Sequence, residues 1–466
     1  MLRRIGVVAA ALVIYGAVAA QAPSVMPETD RRLVREILAQ LVAIPTTEAD
    51  EATPRAARVL ADRLLEAGFP RADVNVSGPT PRAGTLVARL RGAKPGTRPI
   101  LLMAHLDVVP ARREDWSLDP WTLTARDGWL YGRGTSDNKA GAAMLIANFI
   151  RLKRDGWSPD RDVIIMLTGD EETSQNTIQW LLAQNRDLAG AELAFNTDGG
   201  AVVTKSGRPL MFKAQSSEKI YADYQLEVTD SGGHSSLPKS ENPISILSAA
   251  LVRVGDYRFP VQISDDIRLF LERSSRTQTG QLASDLKAVA ATAPNAAAID
   301  RLSLLPFYNA RLRTTCVATR IEGGHANNAL PQMARAIINC RILPGASLPD
   351  VEAKLRSLAG GKVKLTVISA PVASPPSPLP PALLNRLERL VANRWPGLPV
   401  VPAMETGATD GMYVRSAGIP TYGVSALPED PDDIRAHGKD ERVSIEGLEN
   451  ATQFWFELVK DFGGQR

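Results

Sequence analysis

The amino-acid sequence predicts an α/β fold in which a mostly parallel, mixed sheet is flanked by helices, with a small α+β domain inserted into it. In the first half of the chain, short apolar runs typical of buried strands alternate with helical patterns. Such alternation is expected for a sheet that helices cover. Near Ser216 the pattern changes to the regular alternation of a half-exposed strand, which marks the start of a second domain.

The first half begins with two predicted helices. Apolar residues such as Ile37 and Leu41 recur at helical spacing between Thr29 and Gly68, so one face of each helix is expected to be buried. Another helix is expected at about 140–154, between the second and third strands. The four strand-like runs cover residues 85–90, 100–104, 163–167 and 193–196.

The inserted domain is expected to span residues 216–370, between two parts of the first domain at 21–215 and 371–466. Its elements follow the order β-α-β-β-α-β, which is typical of a ferredoxin-like two-layer sandwich. A helical and polar stretch at about 258–308 interrupts this order and is expected to enlarge the inserted domain. The proline-rich stretch from Pro371 to Pro381 then leads back to the first domain.

Residues 1–20 predict a secretory signal peptide. Arg3 and Arg4 precede an apolar stretch from Ile5 to Val18, and small residues follow at the expected cleavage site. An uncleaved membrane anchor is the alternative, but about fourteen apolar residues fall short of the ~20 that span a bilayer. We therefore expect an exported protein, periplasmic or secreted, without a stable membrane span after the signal is cleaved.

The composition is that of an ordinary globular protein. The 466 residues are 44% hydrophobic and 23% charged, which is enough chain for two or three domains. The formal net charge is +3, and cleavage of the signal peptide would leave the mature chain nearly neutral. A nearly neutral chain lacks the basic footprint of a nucleic-acid-binding protein, so no nucleic-acid partner is expected.

The two cysteines are disulfide candidates. Cys316 and Cys340 lie on two β-patterned runs that can pair as neighbouring strands in an oxidising compartment. Two buried thiols are an equally good interpretation, because the register of the strands cannot be read from the sequence.

Metal chemistry is the first functional hypothesis, because all four histidines lie in short segments rich in carboxylates, glycine or asparagine. His105 and Asp107 follow a strand-like run, so we expect them at the carboxyl end of that strand, where open α/β sheets bind ligands. Four similar segments follow along the chain. Their candidate residues are Asp137 in a glycine-rich turn, Glu171 and Glu172 beyond the third strand, of which one can bind metal and the other move protons, Asp198 beyond the fourth, and His437 near the C-terminus.

Each segment alone is more typical of a helix cap or a solvated loop than of a metal ligand. In order they read His-x-Asp, Gly-Arg-Gly-x-x-Asp-x-Lys, Asp-Glu-Glu, Asp-Gly-Gly and a late His-Gly. This order resembles the aminoacylase, carnosinase and carboxypeptidase G family of dinuclear zinc metallopeptidases (peptidase clan MH). The segments at 232–238 and 323–331 of the inserted domain are similar to the lid signatures of that family.

The resemblance implies a zinc-peptidase catalytic domain with an inserted lid and dimerisation domain, and a homodimer formed through that lid. It also implies two bound zinc ions, and cobalt or manganese fits the same nitrogen and oxygen ligands. By the resemblance, His105 and Asp198 hold one ion, Glu172 and His437 hold the other, and Asp137 bridges both.

The resemblance assigns catalytic roles as well. Glu171 is the general base for a water held between the zinc ions, and Asp107 orients the ring of His105. His234 of the lid stabilises the oxyanion that develops during hydrolysis, acting either within its own chain or from a partner subunit.

Three residues match the positions at which relatives grip a substrate carboxylate: Asn328, Arg341 and Thr409. A guanidinium can fork onto a carboxylate, which suits Arg341, although an ordinary strand arginine is an equally good interpretation. For His325, a structural hydrogen bond in a glycine-rich turn is favoured over a contact with substrate.

Three functions are consistent with these residues. The first is an exported zinc metallopeptidase that cleaves short peptides, as a dipeptidase or a carboxypeptidase. The second is an N-acyl-amino-acid deacylase that uses the same centre. The third is a non-catalytic periplasmic protein that binds metal or peptide, which is disfavoured because such a protein has no need of a base at Glu171.

Overall fold

The computed structural model describes residues 25–369 and 371–464. The predicted signal peptide at 1–20 lies outside the described residues. Within these ranges, no helix combines the length and the apolar composition that crossing a membrane requires.

The elements follow the predicted alternation of strands and helices in the first half of the chain. In chain order, the described helices are α1 Glu28–Val42, α2 Thr53–Glu66, α3 Lys139–Arg154, α4 Asn176–Gln184, α5 Arg186–Ala189, α6 Pro243–Asp256, α7 Asp265–Ser275, α8 Gly280–Ala290, α9 Ala296–Ser303, α10 Pro306–Leu312, α11 Leu348–Ala359, α12 Pro381–Arg394, α13 Gly411–Ser416 and α14 Ile445–Gly463. The described strands are β1 Val74–Thr80, β2 Ala83–Leu90, β3 Ile100–His105, β4 Thr124–Arg126, β5 Trp129–Tyr131, β6 Val163–Thr168, β7 Leu193–Asn196, β8 Ala201–Lys205, β9 Arg208–Glu218, β10 Ile220–Thr229, β11 Gly233–His234, β12 Thr315–Gly323, β13 Ala329–Leu330, β14 Met333–Ile342, β15 Lys364–Ser369, β16 Val400–Glu405, β17 Thr421–Gly423, β18 Pro428–Glu429 and β19 Arg442–Ser444.

A large mixed sheet forms the first domain. Its strands lie in the order β1-β2-β6-β3-β7-β17-β9-β8-β18, and β16 pairs with β9. The central neighbours β6, β3, β7 and β17 run parallel to one another, whereas β1 and β2 continue the sheet in antiparallel pairs. The predicted α/β class, with a mostly parallel mixed sheet, is therefore confirmed.

Strand β3 shows why the centre of this sheet needs a continuous apolar run. Ile100 and Leu102 pack in a core that includes side chains of α1, α3 and α14. Leu101 and Met103 pack in a second core, on the other face, with side chains of α4. Successive residues of a strand point to opposite faces, so a strand covered on both faces must be apolar throughout. The run ends at the polar His105, where the strand reaches the edge of the core.

The inserted domain contains a four-stranded antiparallel sheet in the order β12-β14-β10-β15. With α6 and α11 between these strands in the chain, the domain has the predicted ferredoxin-like connectivity. Alternate residues of β10 are buried, among them Ala222, Tyr224 and Leu226, and they belong to a separate core that includes both helices. Helix α6 starts at a capping box formed by Asn242 and Ser245, which satisfies free backbone N–H groups at its first turn.

The chain enters the inserted domain slightly later than predicted. Strand β9 stays in the large sheet as far as Glu218, where it pairs with β16, and β10 of the small sheet begins at Ile220. Glu218 and Lys219 are both fully buried. The junction is therefore part of the core between the two domains and not a solvated linker.

The stretch at 258–308 also differs from its prediction, because it does not enlarge the inserted domain. It forms most of the helices α7 to α10, and apolar side chains such as Phe270 and Leu271 pack in one core with Val401 and Ala403 of β16. These helices therefore cover one strand of the large sheet. An amphipathic pattern shows that a helix buries one face, but it does not show which sheet that face covers.

Cys316 and Cys340 form a disulfide. The two residues lie directly opposite each other in the register of β12 and β14, which brings their side chains to the same face of the small sheet. The bond ties the edge strand β12 to its neighbour. Of the two interpretations left open by the sequence, the structure contains the disulfide and not two free thiols.

Candidate metal centre

Three neighbouring parallel strands deliver candidate ligands to one edge of the large sheet. His105 is the last residue of β3 and lies opposite Thr168, the last residue of β6. Glu171 and Glu172 follow β6, and Asp198 follows β7. Because the carboxyl ends of parallel strands meet at the same edge, three segments that are far apart in the sequence converge there.

Among the described residues, three groups of possible ligand atoms form at this edge, and the two that consist only of predicted ligands share one residue. In the first group, atoms of His105, Asp137 and Asp198 all lie within 4.8 Å of one another. In the second group, the same holds for Asp137, Glu172 and His437. The structure therefore brings together all five residues predicted as metal ligands, with Asp137 between the two groups.

The two oxygens of Asp137 face different imidazoles. Nε2 of His105 lies 2.9 Å from Oδ1 of Asp137, and Nε2 of His437 lies 3.1 Å from Oδ2. The outer carboxylates complete the groups, since Asp198 Oδ1 is 3.8 Å from His105 Nε2 and Glu172 Oε1 is 2.9 Å from His437 Nε2. A carboxylate with one oxygen directed to each side is the arrangement that bridges two cations.

The close carboxylates shift the protonation of both imidazoles. Hydrogen bonds to Asp137 and Glu172 raise the pKa of His437 to about 10. Burial alone would lower the pKa of His105, but hydrogen bonds to Asp107 and Asp137 raise it well above its usual value. For Asp137, burial favours the neutral acid, and the hydrogen bonds from the two histidines outweigh it and hold its pKa well below the usual range.

Asp107 organises the centre mainly through its carboxylate contacts with the backbone. Oδ1 accepts from the backbone N–H of Glu171 at 3.1 Å, and Oδ2 accepts from that of Glu172 at 2.9 Å. Nδ1 of His105 lies 3.0 Å from the carbonyl oxygen of Asp107 and 3.5 Å from its carboxylate. Asp107 therefore contacts the His105 ring, most closely through its backbone carbonyl, and fixes the loop that carries the two glutamates; its role in catalysis stays a prediction.

Glu171 lies beside the ligand groups. A carboxylate oxygen of Glu171 lies within 4.8 Å of ligand atoms of His105 and Glu172, and Gln175 Nε2 donates to its Oε1 at 3.2 Å. Burial, with the nearby carboxylate of Asp198, raises the pKa of Glu171 well above its usual value. A carboxyl group in such a position is suited to accepting and returning a proton.

A cavity of about 390 Å³ adjoins the centre. Its lining includes Asp137, Asp198 and His437, together with Lys213 of β9 and Glu405 of β16. Lys213 Nζ lies 2.9 Å from a carboxylate oxygen of Glu405. The cavity therefore gives a small molecule access to both ligand groups.

Thr409 lines the same cavity, but its hydroxyl is engaged. It donates to Glu218 Oε2 at 3.0 Å and accepts from the backbone N–H of Gly411, also at 3.0 Å. Its single O–H is therefore already used to hold the loop in place. A role of Thr409 in binding substrate stays a prediction.

The other residues predicted to bind substrate or to stabilise the oxyanion are not among those that line this cavity. His234, on the short strand β11, is exposed, and its neighbour Ser235 donates a backbone hydrogen bond to the carbonyl oxygen of Asn328. Arg341 lies on β14 with its guanidinium carbon 4.6 Å from the centre of the Tyr221 ring. His325 is exposed in the turn before β13. Arg341 pairs with Tyr221 at the start of β10, whereas His234 pairs with Ala329 beyond the other end of that strand.

The structure adds residues to which sequence reasoning gave no role of their own. Asp410 is buried, accepts a hydrogen bond from Thr168, and lines a small space with His105, Glu171 and Asp198. Burial raises the pKa of Asp410 to about 7. Its only signal in the sequence is its place in the loop that also contains Thr409, whereas Lys213 and Glu405 lie on strands without any motif.

Comparison with known protein families decides the class of this chain. The family model described as Peptidase family M20/M25/M40 matches residues 101–461. The chain belongs to this peptidase family. The match includes both ligand groups, and membership of the M20 family makes the protein an enzyme that hydrolyses amide bonds, which sets the hypothesis of a non-catalytic binding protein aside.

Two kinds of relative are similar to this M20 family member. The chain is 28% identical over 459 residues to the N-fatty-acyl-amino acid synthase/hydrolase PM20D1 of Mus musculus, and the alignment covers 95% of this chain and 90% of the relative. It is 27% identical over 394 residues to the probable carboxypeptidase S-like 2 of Dictyostelium discoideum, covering 81% of this chain and 74% of the relative.

Solved structures show the same fold. The M20 family metallo-carboxypeptidase Sso-CP2 from Sulfolobus solfataricus superimposes with a TM-score of 0.71 at 18% identity, covering 94% of this chain and all of the other (100%). This similarity confirms the mixed α/β fold.

The donor atoms of the two groups fit the metals on which M20 enzymes depend. Imidazole nitrogens and carboxylate oxygens are ligands for Zn²⁺, and cobalt or manganese also accepts them. The three carboxylates of Asp137, Glu172 and Asp198 would balance most of the charge of two divalent ions. The fit rests on these atoms lying within 4.8 Å of one another in each group.

Because protons and metal compete for the same imidazole nitrogens, metal binding should release protons. The raised pKa of His437, about 10, and that of His105 keep both rings protonated at neutral pH after metal is removed by chelation. We expect Zn²⁺ titrations at pH 7.5, in two buffers of different ionisation enthalpy, to show a net release of protons on binding. The affinity should fall as the pH is lowered from 8 to 6. An affinity that does not depend on pH would contradict this assignment of the ligands.

Proposed function

We propose that this M20 enzyme hydrolyses the peptide bond of short peptides, as a dipeptidase or a carboxypeptidase, at a centre that holds two zinc ions. The observation that carries the proposal is the pair of ligand groups that share Asp137, with Glu171 beside them and outside the shared set. Metal ligands and a separate carboxylate for proton transfer are the two parts that amide hydrolysis requires.

His105 and Asp198 would hold one zinc ion, Glu172 and His437 the other, and Asp137 would contact both. Zinc bound there supplies a Lewis acid that polarises the scissile carbonyl group and makes water more acidic. Cobalt or manganese could replace it, because the donor atoms are the same.

Proton transfer falls to Glu171. As general base it takes a proton from the attacking water, and as general acid it returns a proton to the amine that leaves. The position of Glu171 supports this role, since its backbone N–H is fixed by Asp107 at 3.1 Å and its carboxylate is oriented by Gln175 at 3.2 Å. A base held in this way loses little orientation during the reaction.

His234 would donate a hydrogen bond to the carbonyl oxygen as negative charge develops on it. In this chain His234 is exposed and its Nδ1 lies 2.7 Å from the Ser236 hydroxyl, away from the residues that line the cavity. We infer that it acts on the active site of a second copy. The enzyme would then be a homodimer formed through the lid.

The surface of the lid supports such a dimer. Strand β12 lies at the edge of the small sheet, and its Val317 and Ile321 are exposed. Ile244 and Val252 of α6, the helix beside this strand, are exposed as well. An open strand edge with exposed aliphatic residues is a ready surface for pairing with a second copy.

Arg341 is the best candidate for binding the free carboxylate of a substrate. Burial lowers its pKa, but its guanidinium stacks on Tyr221 and shows no hydrogen bond or salt bridge to another described residue. A planar fork of donors without an acceptor matches a carboxylate. Asn328, close to His234 in the lid, would assist at the same substrate.

N-acyl-amino-acid hydrolysis is the second candidate function. It is favoured by the mouse relative, named as an N-fatty-acyl-amino acid synthase/hydrolase, which aligns with 95% of this chain. The same ligands and the same base would serve both reactions, because each one cleaves an amide bond next to a free carboxylate.

We also propose that the enzyme is exported to the periplasm or secreted. The pattern of residues 1–20 supports export. The Cys316–Cys340 disulfide agrees with it, since disulfides form and persist in oxidising compartments.

Replacing Glu171 with Gln should separate catalysis from metal binding. We expect the E171Q variant to retain two metal ions per chain by elemental analysis, while kcat falls about 10²- to 10⁴-fold, the usual contribution of a general base. Glu172→Gln is the matched comparison and should lose metal as well as activity. If E171Q kept the wild-type kcat, the proposed mechanism would be wrong.

A panel of three substrates should distinguish the two candidate functions: a dipeptide, its C-terminal amide and an N-acyl amino acid. For a peptidase we expect the dipeptide to have the highest kcat/KM. Loss of the carboxylate in the amide should lower kcat/KM about 10- to 100-fold, as expected for a charged hydrogen bond. Arg341→Met should remove most of that difference. Faster cleavage of the N-acyl amino acid would favour the deacylase instead.

Mixed dimers should show whether His234 acts on a second copy. H234A and E171Q chains should each be nearly inactive alone. When they are unfolded and refolded together, half of the dimers are mixed, and each mixed dimer has one complete active site. About a quarter of the wild-type activity should then return. If no activity returns although mixed dimers form, His234 acts within its own chain.

A further inference from the structure

We propose that the buried ion pair between Arg133 and Glu441 is the positioning unit of the metal centre, and that it sets the metal affinity by fixing the loops that carry Asp137 and His437. Neither Arg133 nor Glu441 belongs to the ligand groups. The inference rests on the proposed metal centre and concerns how its ligands are held in place.

Glu441 is the point around which the loop of the bridging ligand folds. Its carboxylate is fully buried, with 0% exposure, and Oε2 accepts from the backbone N–H of Gly134 at 3.0 Å. Oε1 accepts from the backbone N–H groups of Ser136 at 2.7 Å and Asp137 at 3.1 Å, and from the Ser136 hydroxyl at 2.9 Å. One side chain thereby fixes the backbone on which the bridging carboxylate is mounted.

The tight turn requires glycine. Gly134 has a φ of +89°, and a side chain at this position would meet Cγ and Cδ of Lys139 at less than 3 Å. A residue with a Cβ would therefore be strained at this φ and would crowd Lys139. Glycine at 134 is therefore explained by its left-handed backbone and by the closeness of the Lys139 side chain.

Arg133 connects Glu441 to the loop of the other predicted ligand. Its Nη1 donates to Glu441 Oε2 at 2.6 Å. Its Nη2 donates to the carbonyl oxygens of Gly438 at 3.1 Å and of His437 at 3.5 Å. The same nitrogen reaches the carbonyl oxygen of Pro110 at 3.5 Å, in the loop that follows Asp107. The ion pair thus contacts three loops that carry residues of the centre.

Physical chemistry favours a positioning role for this pair over a role in stability. Taking two charges out of water costs roughly as much as their attraction returns, so a buried ion pair is weak evidence for a gain in stability. The planar fork of an arginine and the fixed acceptors of a carboxylate instead impose geometry. Loops ordered before the metal arrives lose less conformational entropy on binding, which increases affinity.

The test uses the full-length enzyme with Glu441→Gln, Arg133→Lys and the double variant. Competition with a chromophoric chelator measures the Zn²⁺ affinity, and thermal unfolding measures stability. We expect each single variant to bind Zn²⁺ about 10- to 100-fold more weakly, the usual effect of losing an outer-shell partner of a metal site. The double variant should bind Zn²⁺ no more weakly than the single variant with the lower affinity, because the two residues act as a unit.

Asp30→Asn is the matched control. Asp30 lies on α1, outside the ligand groups, and its carboxylate is buried. It forms a salt bridge with Arg154 of α3 at 2.9 Å. This variant should lose stability while its Zn²⁺ affinity stays at the wild-type value. A lower unfolding temperature with unchanged Zn²⁺ affinity is therefore the result expected for a purely structural pair.

The outcomes separate this inference from the proposed function. Wild-type Zn²⁺ affinity in folded E441Q and R133K, or additive losses in the double variant, would overturn the inference and leave the hydrolase intact. Absence of Zn²⁺ binding by the wild-type protein would refute the proposed function instead. If E441Q does not fold, R133K decides, because it leaves the four hydrogen bonds from the Asp137 loop to Glu441 in place.

Discussion

The crowding of negative charge at one edge of the large sheet is the constraint on which the rest of the structure depends. Asp137, Glu172 and Asp198 place carboxylate oxygens within 4.8 Å of imidazole nitrogens, and Glu171 lies next to them. Two like charges about 5 Å apart repel by roughly 3 kcal/mol at the effective dielectric of a protein surface. The arrangement therefore favours positive charge at its centre, and the carboxylates accordingly raise the pKa of both imidazoles.

The fold meets this constraint by dividing the work between strands and loops. Parallel strands bring His105, Glu172 and Asp198 to one edge, although these residues are far apart in the sequence. Long-range hydrogen bonds then fix the loops: Asp107 holds the backbone of the two glutamates. The rigid sheet sets the distances between segments, and the buried carboxylates set the direction of each ligand within its segment.

The inserted domain serves a different purpose and is built accordingly. Its small sheet has its own core, and its edge strand is tied to a neighbouring strand by the Cys316–Cys340 disulfide. His234 and Arg341 both lie in this domain, away from the ligand groups. Under the proposed function, metal chemistry would lie in one domain and substrate recognition would involve the other, and the same centre would serve peptides or acyl amino acids.

The sequence by itself determined the alternation of strands and helices, the ferredoxin-like insertion and the chemical identity of the residues at the centre. It could do so because burial leaves a local period in the sequence, and because histidine and carboxylates are conspicuous directly after apolar strands. Only the tertiary structure decided where the stretch at 258–308 packs, that Cys316 lies opposite Cys340, and that Glu441 holds the loop of Asp137. These features depend on contacts between distant segments. A local pattern predicts that one face of an element is buried, but it does not predict which other segment packs against that face.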